Sequence, residues 1–188
     1  MDNKPKQTQQ DIYLQALIDS AVKATTPAEV AQIRQKALKH AAQAIDATSA
    51  YVMHYNHEKN QSTLVQEYFS PYVAIRELDS TIGEVYSEDD YPATRTWLQA
   101  ARPEPRQVHK DDLDTTSREY REFQTLGALS ALYIPVYSQG KLWGYMEFWE
   151  TRRKRVFNEE EIHGLQDIAR GFGFAVDREK HLQGDGSA

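Results

Sequence analysis

Residues 128–150 constrain the fold of this chain more than any other stretch. Ala128-Leu-Ser-Ala-Leu-Tyr-Ile-Pro-Val-Tyr137 and Lys141-Leu-Trp-Gly-Tyr-Met-Glu-Phe-Trp149 are both rich in aliphatic and aromatic residues, and only Ser138-Gln-Gly140 separates them. Two strand-like runs with so short a link form a β-hairpin. Successive residues of a strand point to opposite faces. That parity groups Leu132, Ile134 and Val136 with Leu142, Gly144, Met146 and Phe148 on one purely apolar face. Ala131, Tyr133, Pro135 and Tyr137 share the other face with Trp143, Tyr145, Glu147 and Trp149. An aliphatic face fits under a layer of helices. A face that mixes aromatics with a carboxylate fits under something less regular, and function is to be sought there.

The chain has 188 residues, 40% of them hydrophobic and 27% charged, which is an ordinary globular balance and enough length for one core. It has no cysteine, so disulfides, thiolate catalysis and Cys-ligated zinc are excluded. A net charge of -6 argues against a nucleic-acid surface, which needs clustered Lys and Arg. The one basic cluster, 152–155, reads as a solvated loop after a strand. Residues 1–10 lack the apolar core of a signal peptide, and no run approaches the ~18 apolar residues that span a bilayer. These features predict a cytoplasmic protein that binds neither nucleic acid nor membrane.

Along the chain, residues 1–10 read as a disordered lead, after which Leu14, Leu17 or Ile18, and Ala21 recur at helical spacing through 11–24. Thr26-Pro-Ala-Glu29 is a capping box with proline at the first helical position, opening an alanine-rich helix to about Asp46. Strands follow at 49–55 and 62–69, with Tyr51, Met53 and Tyr55 on one face of the first. His54 and His57 are close together, yet with no third ligand nearby they read as solvated or hydrogen-bonded. Residues 70–126 are irregular. They hold an acidic turn at 83–92, a short helix at 93–101 carrying Trp97, and a break at Arg102-Pro-Glu-Pro105. An edge strand at 107–109 comes next, then a helix from Thr116 or Ser117 that Gly127 closes as a left-handed cap. A connection that long is uncommon unless it covers a site. Asn158-Glu-Glu-Glu161 is a second capping box, starting the longest helix, to about His181; Gly171 and Gly173 inside it predict close packing or a bend.

This order of two helices, hairpin, long crossover, hairpin and long helix resembles the GAF domain, a PAS-like sensory fold. Leu126-Gly-Ala-Leu-Ser-Ala-Leu-Tyr-Ile-Pro-Val136 with Gly140-Lys-Leu-Trp-Gly144 is similar to the family's paired central strands, and Phe157-Asn-Glu-Glu-Glu-Ile162 to the start of its closing helix. The resemblance implies an α/β (α+β) three-layer domain, with a central antiparallel sheet, terminal helices on one face and the crossover on the other. The expected organisation is a disordered lead at 1–10, a linker or dimerisation helix at 11–25, the GAF domain at 26–182 and a flexible end at 183–188. Ser87-Glu-Asp-Asp-Tyr-Pro92 resembles the Asp-Ile-Pro segment of phytochrome GAF domains, which bind a linear tetrapyrrole. That resemblance puts Asp90 at the aspartate position, followed by Tyr91, and implies a pocket that includes Tyr51, Met53, Tyr55, Tyr133, Glu147 and Trp149. Trp97 and Glu119 join it from the crossover. Glu119-Tyr120 stands where those relatives carry a chromophore-contacting histidine, and no cysteine is present for covalent attachment.

No catalytic constellation emerges. Asp111, Asp112 and Asp114 are neighbouring loop acids, Glu147 has no visible partner for acid/base work, and the methionine sulfoxide reductase chemistry of some GAF-fold enzymes needs cysteines. The reading is a non-catalytic regulatory domain that senses an unidentified small molecule between sheet and crossover. It relays that event through its terminal helices, as a homodimer acting on an effector domain or partner outside the chain. The alternative is a ligandless dimerisation or scaffold module. A bilin sensor, or a haem sensor using His109 or His54, is a further one. The sequence identifies no cofactor and no metal site.

Overall fold

Capping chemistry and apolar spacing set the helical frame. The computed structural model describes residues 9–72 and 80–185. Of the lead expected at 1–10, residues 1–8 lie outside them and 9–10 belong to the first helix; crossover residues 73–79 and end residues 186–188 lie outside as well. The first helix, α1, is Gln9–Lys23, and α2 is Pro27–Ala44. Thr26 Oγ1 accepts from the Glu29 amide at 3.2 Å while Glu29 Oε2 accepts from the Thr26 amide at 3.2 Å, so the capping box satisfies donors that the helix start leaves open. Strands β1 (Ser49–Asn56) and β2 (Gln61–Phe69) form the first hairpin. The crossover contributes β3 (Val85–Ser87), a 3-10 turn at Glu88–Asp90, α3 (Pro92–Leu98), β4 (Arg106–His109) and α4 (Arg118–Leu126). Ser117 caps α4, and Gly127 at φ 67 closes it. Strands β5 (Ser130–Ser138) and β6 (Lys141–Glu150) form the second hairpin, and α5 (Glu159–Asp185) ends the description. The last helix thus runs past the expected end near His181 into the stretch read as a flexible end.

The six strands form one antiparallel sheet in the order β3-β2-β1-β6-β5-β4. Gln139 at φ 51 and Gly140 at φ 76 make the tight turn between β5 and β6, and two left-handed residues match the twist of a two-residue hairpin. The helices α1, α2 and α5 cover one face of the sheet. Beneath them Ala50, Val52, Leu132, Ile134, Met146 and Phe148 pack with Leu38, Leu165 and Phe172. Each such buried Leu, Ile or Phe contributes about 1.5–3 kcal/mol from surface removed from water. The opposite face carries Met53, Tyr55, Tyr133, Tyr145 and Trp149 against Leu98 and Phe123 of the crossover.

One expectation is corrected and another is refined. The parity of β6 slips at its start: Val136 pairs with Gly144 but Tyr137 pairs with Leu142, leaving Trp143 as the extra residue of a β-bulge. Leu142 therefore joins the crossover face, while Trp143 turns to the helices, 5.9 Å from Phe172 and 4.9 Å from His54. The basic run is a loop after β6 and is exposed at 152–154 as expected, but two of its arginines are tied to the protein. Arg152 donates to the fully buried Glu150 through Nε and Nη2, both at 3.1 Å, and reaches Asp46; Arg155 pairs with Glu161 and donates to the Ile45 carbonyl at 2.6 Å. Burial alone would raise the Glu150 carboxyl, but the Arg152 hydrogen bonds hold it below the ordinary carboxylate range.

The two glycines of α5 serve close packing. A Cβ on Gly173 would lie 2.0 Å from the Tyr137 carbonyl oxygen of β5, and one on Gly171 would lie 2.5 Å from a Leu17 methyl of α1. Helix propensity alone makes Gly173→Ala stabilising by about 1 kcal/mol. The backbone clash reverses the sign: urea denaturation should show a loss of about 2 kcal/mol or more. A net gain in stability would mean that α5 does not touch β5 there.

Candidate functional site

The face of the sheet away from the helices borders a cavity of about 170 Å³. Its floor is Tyr51 and Met53 of β1, Leu64 of β2, Tyr133 of β5, and Tyr145, Glu147 and Trp149 of β6. Its cover is Thr94 of α3 and Glu119, Glu122, Phe123 and Leu126 of α4, with Glu88, Tyr91, Tyr86, Phe69 and Thr81 along the side. Register explains the floor. Tyr51 pairs with Glu147 across β1 and β6, and Glu147 with Tyr133 across β6 and β5, so the central three strands present one cross-strand row to the cavity. Aromatic neighbours fix the row: Trp149 sits edge-on to Tyr51 at 6.5 Å and 4.6 Å from Phe123, and Tyr133 lies 6.2 Å from Tyr145.

Four carboxylates line this mostly aromatic space. Glu147 accepts from Trp149 Nε1 at 2.9 Å. Glu88, 2% exposed, accepts from the Ser62 hydroxyl and from Tyr145 Oη at 3.3 Å. Glu119, 5% exposed, accepts from the Ala93 amide at the start of α3 at 3.0 Å. Glu122 has no hydrogen-bond partner among the described residues, and both it and Glu147 keep partial exposure because they border the cavity rather than packed protein. Burial, and then the neighbouring Glu122 charge, pushes the Glu147 carboxyl up to about 8. Burial likewise lifts Glu122 to about 7, partly opposed by the Arg118 charge. Burial raises Glu88 as well. The same desolvation pushes Tyr51 and Tyr91 up to about 12, and Tyr133 and Tyr145 well above the phenol range.

Of the residues singled out in the sequence, Tyr51, Met53, Tyr91, Glu119, Tyr133, Glu147 and Trp149 lie together on the cavity wall. Three do not. Tyr55 points along the same face but beyond the cavity, donating to Asn60 at 2.9 Å. Trp97 sits behind the wall, 5.5 Å from Tyr145 and donating to the Glu104 carbonyl. Asp90 faces outward and pairs with Arg118 at 2.9 Å, because the 3-10 turn directs Glu88 inward instead. Glu88 and Glu122 were not foreseen. A carboxylate one helical turn from a buried one, as Glu122 is from Glu119, was the available signal. His57 bonds to the Leu142 carbonyl at 2.8 Å and His54 packs on Trp143. Among the described residues no group of three acidic, histidine or cysteine side chains could hold a metal ion.

A three-layer antiparallel α/β domain with a cavity between sheet and crossover is the architecture of the PAS-like sensory class. The profile of the GAF domain matches residues 27–177, and the chain belongs to that family. No curated protein matches. Among solved structures, the phycoerythrobilin-bound GAF domain of a cyanobacterial phytochrome superposes with a TM-score of 0.75 at 15% identity, over 94% of this chain and 98% of that one. The blue-light absorbing form of the PixJ GAF domain from Thermosynechococcus elongatus gives 0.65 at 13% identity, over 96% and 94%. The chromophore-binding domain of a bacteriophytochrome from R. palustris gives 0.68 at 12% identity, over 96% of this chain and 64% of that one. At such identities the likeness is one of fold.

The raised carboxyls make stability depend on pH. Glu147 titrates at about 8 when folded against an ordinary 4.5, so between those values the folded chain holds a proton that the unfolded chain releases. Stability therefore falls as pH rises through that window. Glu147→Gln cannot ionise and should flatten the decline of Tm between about pH 5.5 and 8.5. An unchanged slope would put the carboxylate in water.

Proposed function

We propose that this GAF domain is a non-catalytic regulatory module whose cavity takes a small molecule and whose helical layer passes the event on. The observation that supports it most is the position of the cavity. Its wall draws on β1, β2, β5 and β6 and on α3 and α4, so one ligand would hold the crossover against the sheet. The other face of β5 touches α5 through the Gly173–Tyr137 approach, which gives a rigid route from Tyr133 to the terminal helices. Exposed Ile12, Val22 and Phe174 on α1 and α5 support a homodimer built on those helices, with the effector in another domain or partner. We place the domain in the cytoplasm; among the described residues no helix is long and apolar enough to cross a membrane.

The tetrapyrrole of the bilin-bound neighbours does not suit these residues. Its propionates are anionic, whereas the cavity wall offers four carboxylates and no Lys, Arg or His among the described residues. Cysteine is absent. An engineered cavity of ~150 Å³ holds one benzene ring, while a bilin has four rings. Haem meets the same charge conflict, and neither His54 nor His109 borders the cavity.

Thermal-shift screening of the purified chain tests the sensor reading, since a ligand at a hundred times its Kd stabilises by about 2.7 kcal/mol. Hits should disappear in Thr94→Phe or Thr81→Trp, which fill the cavity from opposite sides. If every hit survives in both, or none exists, the ligandless scaffold reading replaces this one. Light scattering should give twice the 21.6 kDa chain mass, and Val22→Glu with Phe174→Glu should return it to a monomer.

A further inference from the structure

Resting on the sensor reading, the chemistry of the wall narrows what the cavity can accept. Tyr51, Tyr133, Tyr145 and Trp149 line the cavity around Glu147, and Glu119 and Glu122 line it from α4, with Glu88 at the side. Aromatic faces and carboxylates both attract positive charge. Arg118 and Arg121 lie outside, in a neighbouring depression bounded by Tyr86, Tyr91 and Glu122, and both are engaged. Arg118 donates to Tyr91 Oη at 3.0 Å and to Asp90, and Arg121 to the Thr116 carbonyl at 2.9 Å. Arg106 is stacked over the Tyr133 ring, 5.7 Å from its centroid. Among the described residues no Lys, Arg or His thus lines the cavity beside these acids, and the Arg118 charge only partly offsets Glu122 from outside.

A second, independent observation points the same way. Tyr133 is 5% exposed and borders the cavity, yet its hydroxyl has no hydrogen-bond partner among the described residues. A phenol hydroxyl without a protein partner keeps its hydrogen-bonding capacity for a ligand. Glu119 uses Oε1 on the Ala93 amide, and its second oxygen has no partner among the described residues. These groups are free to meet a molecule that brings both a positive charge and N–H donors.

We propose that the cavity binds a small aromatic cation: a flat ring of about one benzene's size bearing a protonated amine or amidine, its charge set among Glu147, Glu122 and Glu119. Binding is coupled to proton release. Near neutral pH the free cavity holds part of its charge as protonated carboxyls, for Glu147 titrates at about 8 and Glu122 at about 7. An entering cation favours the ionised forms and expels those protons. Affinity for an amine that stays charged throughout thus rises with pH across that interval. The phenols facing it, Tyr51, Tyr91, Tyr133 and Tyr145, remain neutral there because burial raises them all.

Benzylamine, benzamidine, benzyl alcohol and benzoate share one ring and differ in charge. Calorimetry on the full chain should show the two cations binding at least ten-fold more tightly than the alcohol, with benzoate weakest. Their apparent enthalpy should change with the ionisation heat of the buffer, reporting proton release. Glu147→Gln and Glu122→Gln, with folding checked by circular dichroism, should each remove most of the cation preference and leave benzyl alcohol unchanged. Alcohol or benzoate binding as tightly as the amines overturns this proposal while leaving the cavity a ligand site. Failure of all four to bind also overturns it, and the sensor reading then stands or falls on the thermal-shift screen alone.

Discussion

The contact between α5 and β5 at Gly173 and Tyr137 decides much of the rest of the structure. Helix and strand backbones meet there with no room for a single methyl group. That approach seats Phe172 and Val176 on the apolar face of the hairpin, and it commits the other face, by strand parity, to the crossover. Gly144 does the same within the sheet, where a Cβ would lie 2.0 Å from the Met53 carbonyl oxygen. With both approaches closed, the row Tyr51, Glu147 and Tyr133 can only point away from the helices. The helical layer is a close-packed, mostly apolar core; the carboxylates of the cavity are collected on the other side.

That collection is expensive for the fold. Several carboxylates in one aromatic space repel one another and lose hydration, and the sheet accommodates them by keeping them partly protonated. Replacing them with apolar residues of similar shape is the cheaper solution for stability alone. Their presence is the pattern expected where stability has been exchanged for a binding surface. The contrast with Glu150 is instructive. Only three residues along the same strand, that carboxylate is fully buried, but it accepts from Thr48 and Arg152 and is held ionised. One acid ties the end of β6 to the loop that precedes β1, as a structural bond does. The others wait on a cavity.

Much of this was legible in the sequence. Both capping boxes, the Gly127 cap and the hairpin turn at Gln139-Gly140 are local signals whose chemistry acts within a few residues, and each has its place in the structure. The face assignment of β5 and of β6 from Gly144 on, Tyr133 and Glu147 included, followed from the period of two. It failed for Leu142 and Trp143, because a bulge inserts one residue without any local sequence mark. Asp90 was misdirected for a related reason. In a 3-10 turn three successive acids point in three directions, and only tertiary contact with Ser62 and Tyr145 selects Glu88 as the inward one. The partners of Arg152 and Arg155 were not legible, because Asp46 and the Ile45 carbonyl are more than a hundred residues away in the chain.

The central claim is that the Glu147 carboxylate lies in a desolvated aromatic cavity on the face opposite the helices. A carboxyl-carbon NMR titration, assigned by the disappearance of one resonance in Glu147→Gln, measures it directly. The account predicts a midpoint near the value of about 8 that burial and Glu122 impose, together with a resonance that shifts when Glu122 is changed to glutamine. A midpoint at the ordinary carboxylate value of 4.5, insensitive to Glu122, would mean a side chain in water and would contradict both the site and the function built on it.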